Sequence, residues 1–125
     1  MKVLVTTGAP GLDAEVEPRF WHAASLTIVD TDTLQWDAVP TPSAPNVHTA
    51  GTRLALLATH QQIKAPISHD YGPNCYMVLE AAAIPMYLSG KCKTVREAVE
   101  QFKAGKLVTI YAPTSAGPQG EAVAR

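Results

Sequence analysis

The sequence has no excess of charge of either sign. Its ten lysines and arginines are balanced by eleven aspartates and glutamates, which gives a formal charge of −1. Domains that bind nucleic acid usually carry a strong basic excess gathered on one surface. We therefore expect no nucleic-acid partner.

Long apolar runs are also absent. A membrane-spanning helix needs about twenty consecutive, mostly apolar residues, and no segment of this chain approaches that length. The N-terminal residues become polar at Thr6, which is too early for a signal peptide. Together these absences predict a cytoplasmic protein that does not cross a membrane.

Cysteine is scarce, because only Cys75 and Cys92 occur and they do not form a CxxC motif. Two cysteines are too few for a disulfide framework, and zinc or thioredoxin-like motifs use closer spacings. The simplest expectation is a reducing compartment in which both thiols stay free.

The residues that support common enzyme chemistry are missing as well. Residues 8–11, Gly-Ala-Pro-Gly, lack the lysine of a phosphate-binding loop. Asp30 and Asp32 flank a predicted turn, which aspartate favours, and no matching carboxylates occur on the first and fourth strands to hold the two metals of a nuclease. No nucleophile and base occur at an interpretable spacing. We therefore predict no catalytic residues, with a hydrolase as the least supported alternative.

The sequence does contain enough apolar residues, 46%, for one domain with a full core. Strands are predicted from β-branched or alternating residues, and helices from apolar residues at helical spacing. The predicted strands cover residues 2–7, 25–30, 35–39, 65–68 and 84–88, and the helices begin near residues 49, 73 and 94. The order β-β-β-α-β-α-β-α is typical of an α/β fold in which an antiparallel meander precedes parallel crossovers.

Proline positions add detail to the predicted sheet. Proline donates no ladder hydrogen bond, so it is usually confined to edges and strand starts. Pro66 therefore argues against a central position for the fourth strand, and Pro85 suits an edge position for the fifth.

The last helix and the C-terminus have clear boundary signals. Thr94 and Glu97 form a predicted capping box, and Gly105 is predicted to end that helix. Residues 112–125 contain few apolar side chains. We therefore expect a domain of residues 1–111 followed by a disordered tail.

Residues 69–75, His-Asp-Tyr-Gly-Pro-Asn-Cys, join the fourth strand to the second helix. Gly72 allows a sharp turn, and Pro73 suits the first helical turn, where its missing amide proton would have no partner. A helix that opens directly after a strand presents N–H groups and the positive end of its dipole to an anion. Ligands of open α/β sheets bind beyond the carboxyl ends of the parallel strands. The His69 imidazole lies just before this helix and the Cys75 thiol in its first turn, and both groups can bind metals. We therefore predict that Gly72, Pro73 and Asn74 contact an anionic, metal-containing ligand.

Three side chains are candidate metal ligands. His69 would coordinate through a neutral imidazole, or it is a residue at a strand end that faces water. Cys75 is either a thiolate favoured by the helix N-terminus or a small core residue on the apolar face of its helix. His48 is a further candidate, or it merely flanks the first helix. The sequence leaves these alternatives open.

Several short motifs occur in a characteristic order. They are Leu12-Asp13, Glu17-Pro18-Arg19-Phe20, Ile28-Val-Asp-Thr-Asp-Thr33, Thr49-Ala-Gly51, Gly72-Pro73-Asn74, Val78-Leu-Glu-Ala-Ala82, Thr94-Val-Arg-Glu-Ala98 and Lys103-Ala-Gly-Lys106. In order and spacing, they resemble the dinitrogenase iron–molybdenum-cofactor-binding family, which includes nitrogenase accessory proteins and the molybdenum–copper "orange protein" type. The likeness covers roughly residues 1–107.

The resemblance implies an RNase H-like fold, with a mixed five-stranded sheet and flanking helices. It also implies a small, non-catalytic carrier of an anionic molybdenum–sulfur cluster that contains iron or copper. The expected partners are the metallocluster and cluster-assembly or acceptor proteins, with the chain a monomer or small homo-oligomer. The alternative is a protein-interaction module in metallocluster assembly that holds no cofactor itself.

The loop before the second strand supplies three more candidate site residues. The Arg19 guanidinium would complement an anionic cluster with fixed donors, or it pairs with Glu15 or Glu17. Trp21 would form a wall of the pocket, or it belongs to the core. His22 would donate a hydrogen bond to the cluster sulfides, or it is a surface histidine.

Overall fold

The computed structural model describes residues 1–17, 25–40 and 47–114. These ranges form six strands and three helices. In chain order they are β1 (Lys2–Thr7), β2 (Ser25–Asp30), β3 (Trp36–Pro40), α1 (Val47–His60), β4 (Ala65–Ser68), α2 (Pro73–Ala81), β5 (Met86–Leu88), α3 (Val95–Lys103) and β6 (Thr109–Ile110). The predicted α/β class and the order of the first eight elements are confirmed.

One mixed sheet contains all six strands in the order β3-β2-β1-β4-β5-β6. Strands β3, β2 and β1 are antiparallel neighbours, and β1, β4 and β5 are parallel neighbours. The expected count of five strands is wrong, because Thr109 and Ile110 pair antiparallel with β5. A two-residue strand is too short to show an alternating pattern in the sequence. The RNase H-like assignment that the resemblance implies stays a prediction.

The positions predicted from the two prolines are wrong. Strand β4 lies between β1 and β5 in spite of Pro66, and β5 lies inside the sheet rather than at its edge. Pro85 precedes β5, which begins at Met86. All four residues of β4 are buried. One missing ladder hydrogen bond costs about 1 kcal/mol, which the burial of the whole strand exceeds.

Helices cover both faces of the sheet. Helices α1 and α2 pack on one face, where Leu4 and Leu26 meet Ala58 and Leu79. Helix α3 packs on the other face, where its Val95, Ala98 and Val99 meet Val3, Val5 and Ile67. Strands β1 and β2 are therefore buried on both faces, which explains their nearly continuous apolar sequences.

The last helix forms as its sequence predicts. The Thr94 hydroxyl accepts a hydrogen bond from the Glu97 amide at 3.3 Å, and the Lys93 amide donates to the Glu97 carboxylate at 3.3 Å. Gly105 follows the helix with φ +71°. The predicted N-cap Thr94 and the C-terminal glycine are confirmed. The Glu97 carboxylate differs from the predicted capping box, because it accepts from the Lys93 amide rather than from the Thr94 amide.

The parallel strands β1, β4 and β5 end at the same edge of the sheet, which we call the carboxyl edge. Both ends of the undescribed segment 18–24 lie there. The Glu17 amide donates to the Thr6 carbonyl at 2.8 Å, and Ser25 pairs with Thr7. Helix α1 ends at His60, shortly before β4 begins, so its first turn lies toward the carboxyl edge.

The C-terminal part of the described chain returns toward the carboxyl edge. The Thr114 amide donates to the Tyr71 carbonyl at 2.9 Å, so residue 114 contacts the domain. Residues 115–125 of the expected tail lie outside the described ranges, and the domain boundary at residue 111 stays a prediction.

In the part of the chain that the structure describes, no helix combines the length and apolar character that a membrane crossing requires.

Candidate functional site

The N-terminus of α2 opens at the carboxyl edge of the sheet. Its N-cap is Gly72, an extended residue that has no side chain to cap the helix, and Pro73 occupies the first turn. The first turn contains no acidic side chain. The first turn of such a helix presents a partial positive charge, and nothing in the sequence of this turn neutralises it.

The connection from β4 to α2, residues 69–72, forms the rim of this helix terminus. His69 is exposed, Asp70 is half-buried and Tyr71 is fully buried. The Tyr71 ring lies in the core beneath α1 and α2. Its hydroxyl lies 3.0 Å from the Pro66 carbonyl oxygen and 2.8 Å from the Tyr87 carbonyl oxygen. Tyr71 thereby anchors the connection to strands β4 and β5 from the inside.

Thr114 holds the same connection from the outside. Its hydroxyl oxygen accepts a hydrogen bond from the Tyr71 amide at 2.7 Å and donates to the Asp70 carboxylate at 2.5 Å. The Thr114 amide donates to the Tyr71 carbonyl. The Asp70 carboxylate is therefore partly engaged by a hydroxyl.

Buried hydroxyls link the connection to β1. The Thr6 hydroxyl lies 3.1 Å from the Ser68 hydroxyl and 3.2 Å from the Glu17 carbonyl oxygen. The Ser68 hydroxyl donates to the Asp70 carbonyl at 3.4 Å. Residue 17, after which segment 18–24 begins, is thus joined through Thr6 to the residue before His69.

The N-terminus of α3 is occupied by the chain itself, in contrast to that of α2. The Val95 amide donates to the Ala14 carbonyl at 3.0 Å, and the Arg96 amide donates to the Leu12 carbonyl at 2.8 Å. The Arg96 guanidinium also contacts the Asp13 carboxylate at 3.1 Å. This helix terminus has its own partners and is no candidate site.

Sequence comparison decides the family of this chain. A family model described as "Dinitrogenase iron-molybdenum cofactor" matches residues 1–105. The chain belongs to this family. The resemblance seen in its motifs is therefore confirmed.

Solved structures of similar proteins agree with the family assignment. The apo form of the orange protein from Desulfovibrio gigas is 31% identical, with a TM-score of 0.84 over 90% of this chain and 95% of that one. A putative NifB protein from Thermotoga is 21% identical, with a TM-score of 0.68 over 86% of this chain and 91% of that one. The second likeness shows the fold alone. No curated protein sequence matches this member of the family.

Cys75, in the first turn of α2, lies in the core. The side chain is 2% exposed and packs in the core cluster with Tyr71 and Leu79. Its thiol donates to the Gly72 carbonyl at 3.4 Å. Burial raises the pKa of the Cys75 thiol to about 12. Of the two alternatives for Cys75, these contacts favour the core residue, because desolvation of a charged thiolate opposes the effect of the helix dipole.

The structure brings some of the other predicted site residues together and does not describe the rest. Gly72, Pro73, Asn74 and exposed His69 lie together at the α2 terminus. The backbone of His48 lies in the first turn of α1, but its side chain is not described. Arg19, Trp21 and His22 lie outside the described residues. Within the described ranges, no three His, Cys, Asp or Glu side chains are grouped to hold a metal ion.

Sequence reasoning missed Tyr71 and Thr114. Tyr71 is adjacent to the Gly-Pro turn, and a large aromatic side chain beside a strand end is a modest indication of an anchor. Thr114 follows Ala112 and Pro113 in a segment of low apolar content. No local pattern connects Thr114 with Asp70, which is more than forty residues earlier in the chain.

Proposed function

We propose that this protein is a small, non-catalytic carrier that binds an anionic molybdenum–sulfur cluster containing iron or copper. The observation that carries the proposal is the α2 terminus at the carboxyl edge, capped only by Gly72 and bordered by exposed His69. This is the edge at which open α/β sheets bind ligands. Membership of a family named for the iron–molybdenum cofactor supports a metal–sulfur ligand.

Charge complementarity is the first part of the proposed binding mode. The α2 terminus offers partial positive charge to an anion, and its first turn contains no carboxylate. Segment 18–24 is flanked on both sides by residues bound to the carboxyl end of β1. We therefore assign Arg19 as the cation that faces the cluster, with Trp21 as a wall of the pocket and His22 as a donor to its sulfides.

Metal coordination is the second part. His69 has the exposure that a ligand to an incoming cluster needs, and His48 is a second candidate imidazole because α1 begins toward the same edge. Soft cluster metals accept imidazole as well as thiolate ligands. We assign Cys75 to the core rather than to the cluster, because its thiol is buried, hydrogen-bonded and protonated at neutral pH.

A binding titration tests the proposal. Purified protein is mixed with tetrathiomolybdate and either copper(I) or iron(II), freed of small molecules by gel filtration, and analysed by absorption and metal content. We expect a coloured complex with a fixed ratio of molybdenum to protein. The thiomolybdate alone and the denatured protein are the controls. Loss of all molybdenum during gel filtration would refute the carrier proposal.

A second candidate is a protein-interaction module in metallocluster assembly that holds no cofactor. The burial of Cys75 favours it, because this withdraws the strongest thiolate candidate from the site. This candidate predicts no retained metal in the titration. It also predicts that protein purified from its source organism contains no molybdenum but copurifies with a cluster-assembly protein.

A further inference from the structure

The Thr114 hydroxyl accepts one hydrogen bond and donates another at the same position. On one side lies the Tyr71 amide, a donor at 2.7 Å, and on the other lies the Asp70 carboxylate, an acceptor. A hydroxyl accepts and donates at once, whereas an aliphatic side chain does neither. Thr114 also donates its amide to the Tyr71 carbonyl at 2.9 Å, so one residue engages both backbone groups of Tyr71.

The groups that Thr114 holds belong to the rim of the α2 terminus. Asp70 follows His69 directly, and Tyr71 precedes the N-cap Gly72. The Tyr71 ring fixes this connection from the core side. On the outer side, Thr114 provides the hydrogen bonds to residues 70 and 71. Without them, the backbone between His69 and Gly72 would lose its outer restraint.

We infer that Thr114 is a positioning residue for the cluster site, holding residues 69–72 in the conformation that the cluster meets. This inference rests on the proposed function. Thr114 bonds to Asp70 and Tyr71, the residues that lead into the α2 terminus, and it acts on the site through them. Its hydroxyl also donates to the Asp70 carboxylate, so one oxygen of this carboxylate is held by the protein itself.

Three variants test this role. Thr114→Val keeps the shape of the side chain and removes its hydrogen bonds, while Thr114→Ser keeps the hydroxyl. Thr33→Val is the matched control, because Thr33 is exposed at the opposite end of the sheet and its hydroxyl accepts one backbone hydrogen bond, from Gln35. Each variant is titrated with tetrathiomolybdate and copper(I), and exchange of the Tyr71 amide proton is followed by NMR.

We expect Thr114→Val to bind the thiomolybdate–copper probe about 3- to 10-fold more weakly, as the loss of one or two hydrogen bonds predicts. Its Tyr71 amide should exchange faster than that of the wild type. Thr114→Ser and Thr33→Val should retain wild-type affinity. Wild-type affinity in Thr114→Val, or an unchanged exchange rate at Tyr71, would overturn the inference.

A background variant separates positioning from general stability. Ala83 lies just after the C-cap of α2 with φ +58°, a left-handed conformation that glycine adopts more easily. Ala83→Gly, which we expect to stabilise the fold at this far end of α2, is combined with Thr114→Val to restore the thermal midpoint. The affinity should stay low in the double variant, and its recovery together with the midpoint would overturn the inference.

If the wild type itself fails to bind the probe, the proposed function is refuted, and this role of Thr114 is refuted with it. Wild-type binding with an unaffected Thr114→Val variant would instead refute Thr114 alone.

Discussion

The hydroxyl oxygen of Tyr71 lies 3.0 Å from the carbonyl oxygen of Pro66, five residues earlier in the chain. The same hydroxyl lies 2.8 Å from the Tyr87 carbonyl oxygen. Since the Tyr71 side chain is fully buried, water cannot replace this donor. One phenol thus bridges β4 and β5 and fixes the residues that lead into α2.

Tyr71→Phe should therefore destabilise the protein without disturbing its packing. The substitution removes the single hydroxyl proton that the Pro66 and Tyr87 carbonyl oxygens share, which costs about 1–3 kcal/mol. Urea unfolding followed by circular dichroism measures the change. Tyr111→Phe is the control, because Tyr111 is 85% exposed, and its effect should stay within about 0.5 kcal/mol. Equal stability of the two variants would show that the Tyr71 hydroxyl contributes nothing.

Cys75 should be unreactive in the folded protein. Burial raises the pKa of its thiol to about 12, and only the thiolate reacts readily with iodoacetamide. At pH 8, Cys92 should be alkylated first, since it is half-buried, and the Cys92→Ser variant should react only after denaturation. Rapid alkylation of Cys75 in folded Cys92→Ser protein would disprove its assignment to the core.

The Cys75 pKa also has a consequence for stability. Its folded pKa, about 12, is above its ordinary value of 9.0, so the folded state retains the proton longer than the unfolded state. The contribution of the protonated thiol to the free energy of unfolding is complete below pH 9. It is lost as the pH rises toward 12, by at most about 1.4 kcal/mol per pH unit. Urea unfolding should show a shallower alkaline decline for Cys75→Ala than for the wild type, and parallel declines would contradict this.

The ends of α2 and α3 form a natural matched pair. Both helices end with the same pattern of three backbone hydrogen bonds. The residue after the C-cap has a positive φ angle in both helices, 58° at Ala83 and 71° at Gly105. A left-handed conformation costs a non-glycine residue about 1–2 kcal/mol. Ala83→Gly should raise the free energy of unfolding by about 0.5–1 kcal/mol, after allowance for the greater freedom of glycine in the unfolded chain.

Gly105→Ala should change stability in the opposite direction by a similar amount. A Cβ at Gly105 would meet no atom within 4 Å, so the cost is that of the backbone conformation alone. Thermal unfolding of both variants measures the pair. A destabilised Ala83→Gly variant would show that other interactions determine the end of α2.

The sequence predicted β1 and β2, whose apolar residues run nearly without interruption, and α3, whose capping residues are present in the sequence. The apolar residues of β1 and β2 and the Thr94–Glu97 box identify their elements through local chemistry. Strand β6 has only two residues, and Ala83 lies in an alanine run that does not indicate a left-handed residue. The central position of Pro66 depends on tertiary burial rather than on local propensity.

The sequence predicted those parts of the candidate site that depend on neighbouring residues and missed those that depend on distant contacts. Gly72, Pro73 and His69 were predicted because the turn and the helix start are adjacent in sequence. The burial of Cys75 depends on how α2 packs against the sheet, which its position in the first turn does not specify. Thr114 was missed because its partners are distant in the chain, and a single threonine carries no pattern.

Salt dependence tests the role of Arg19. Attraction between a cation and a multiply charged anion is weakened by salt. Arg19→Ala should weaken binding of the thiomolybdate–copper probe, and added salt should weaken wild-type binding more than that of the variant. Lys103→Ala is the control, because it removes one positive charge from an exposed position in the last turn of α3. Equal salt dependence in Arg19→Ala and the wild type would remove Arg19 from the site.

The pH dependence of cluster binding tests His69. An imidazole coordinates a metal only when it is neutral, and histidine ordinarily gains its proton below about pH 6.5. If His69 is a ligand, wild-type affinity for the thiomolybdate–copper probe should fall from pH 8 to pH 5, and His69→Ala should flatten that fall. If the imidazole only attracts the anion through its charge, affinity should rise as pH falls, so the sign of the change distinguishes the two roles. His60→Ala is the matched control, since His60 is exposed at the C-terminal end of α1 and should leave the profile unchanged. An affinity that is flat from pH 5 to pH 8 in the wild type would remove the histidines from the site and leave Arg19 and the α2 terminus as its anion-binding groups.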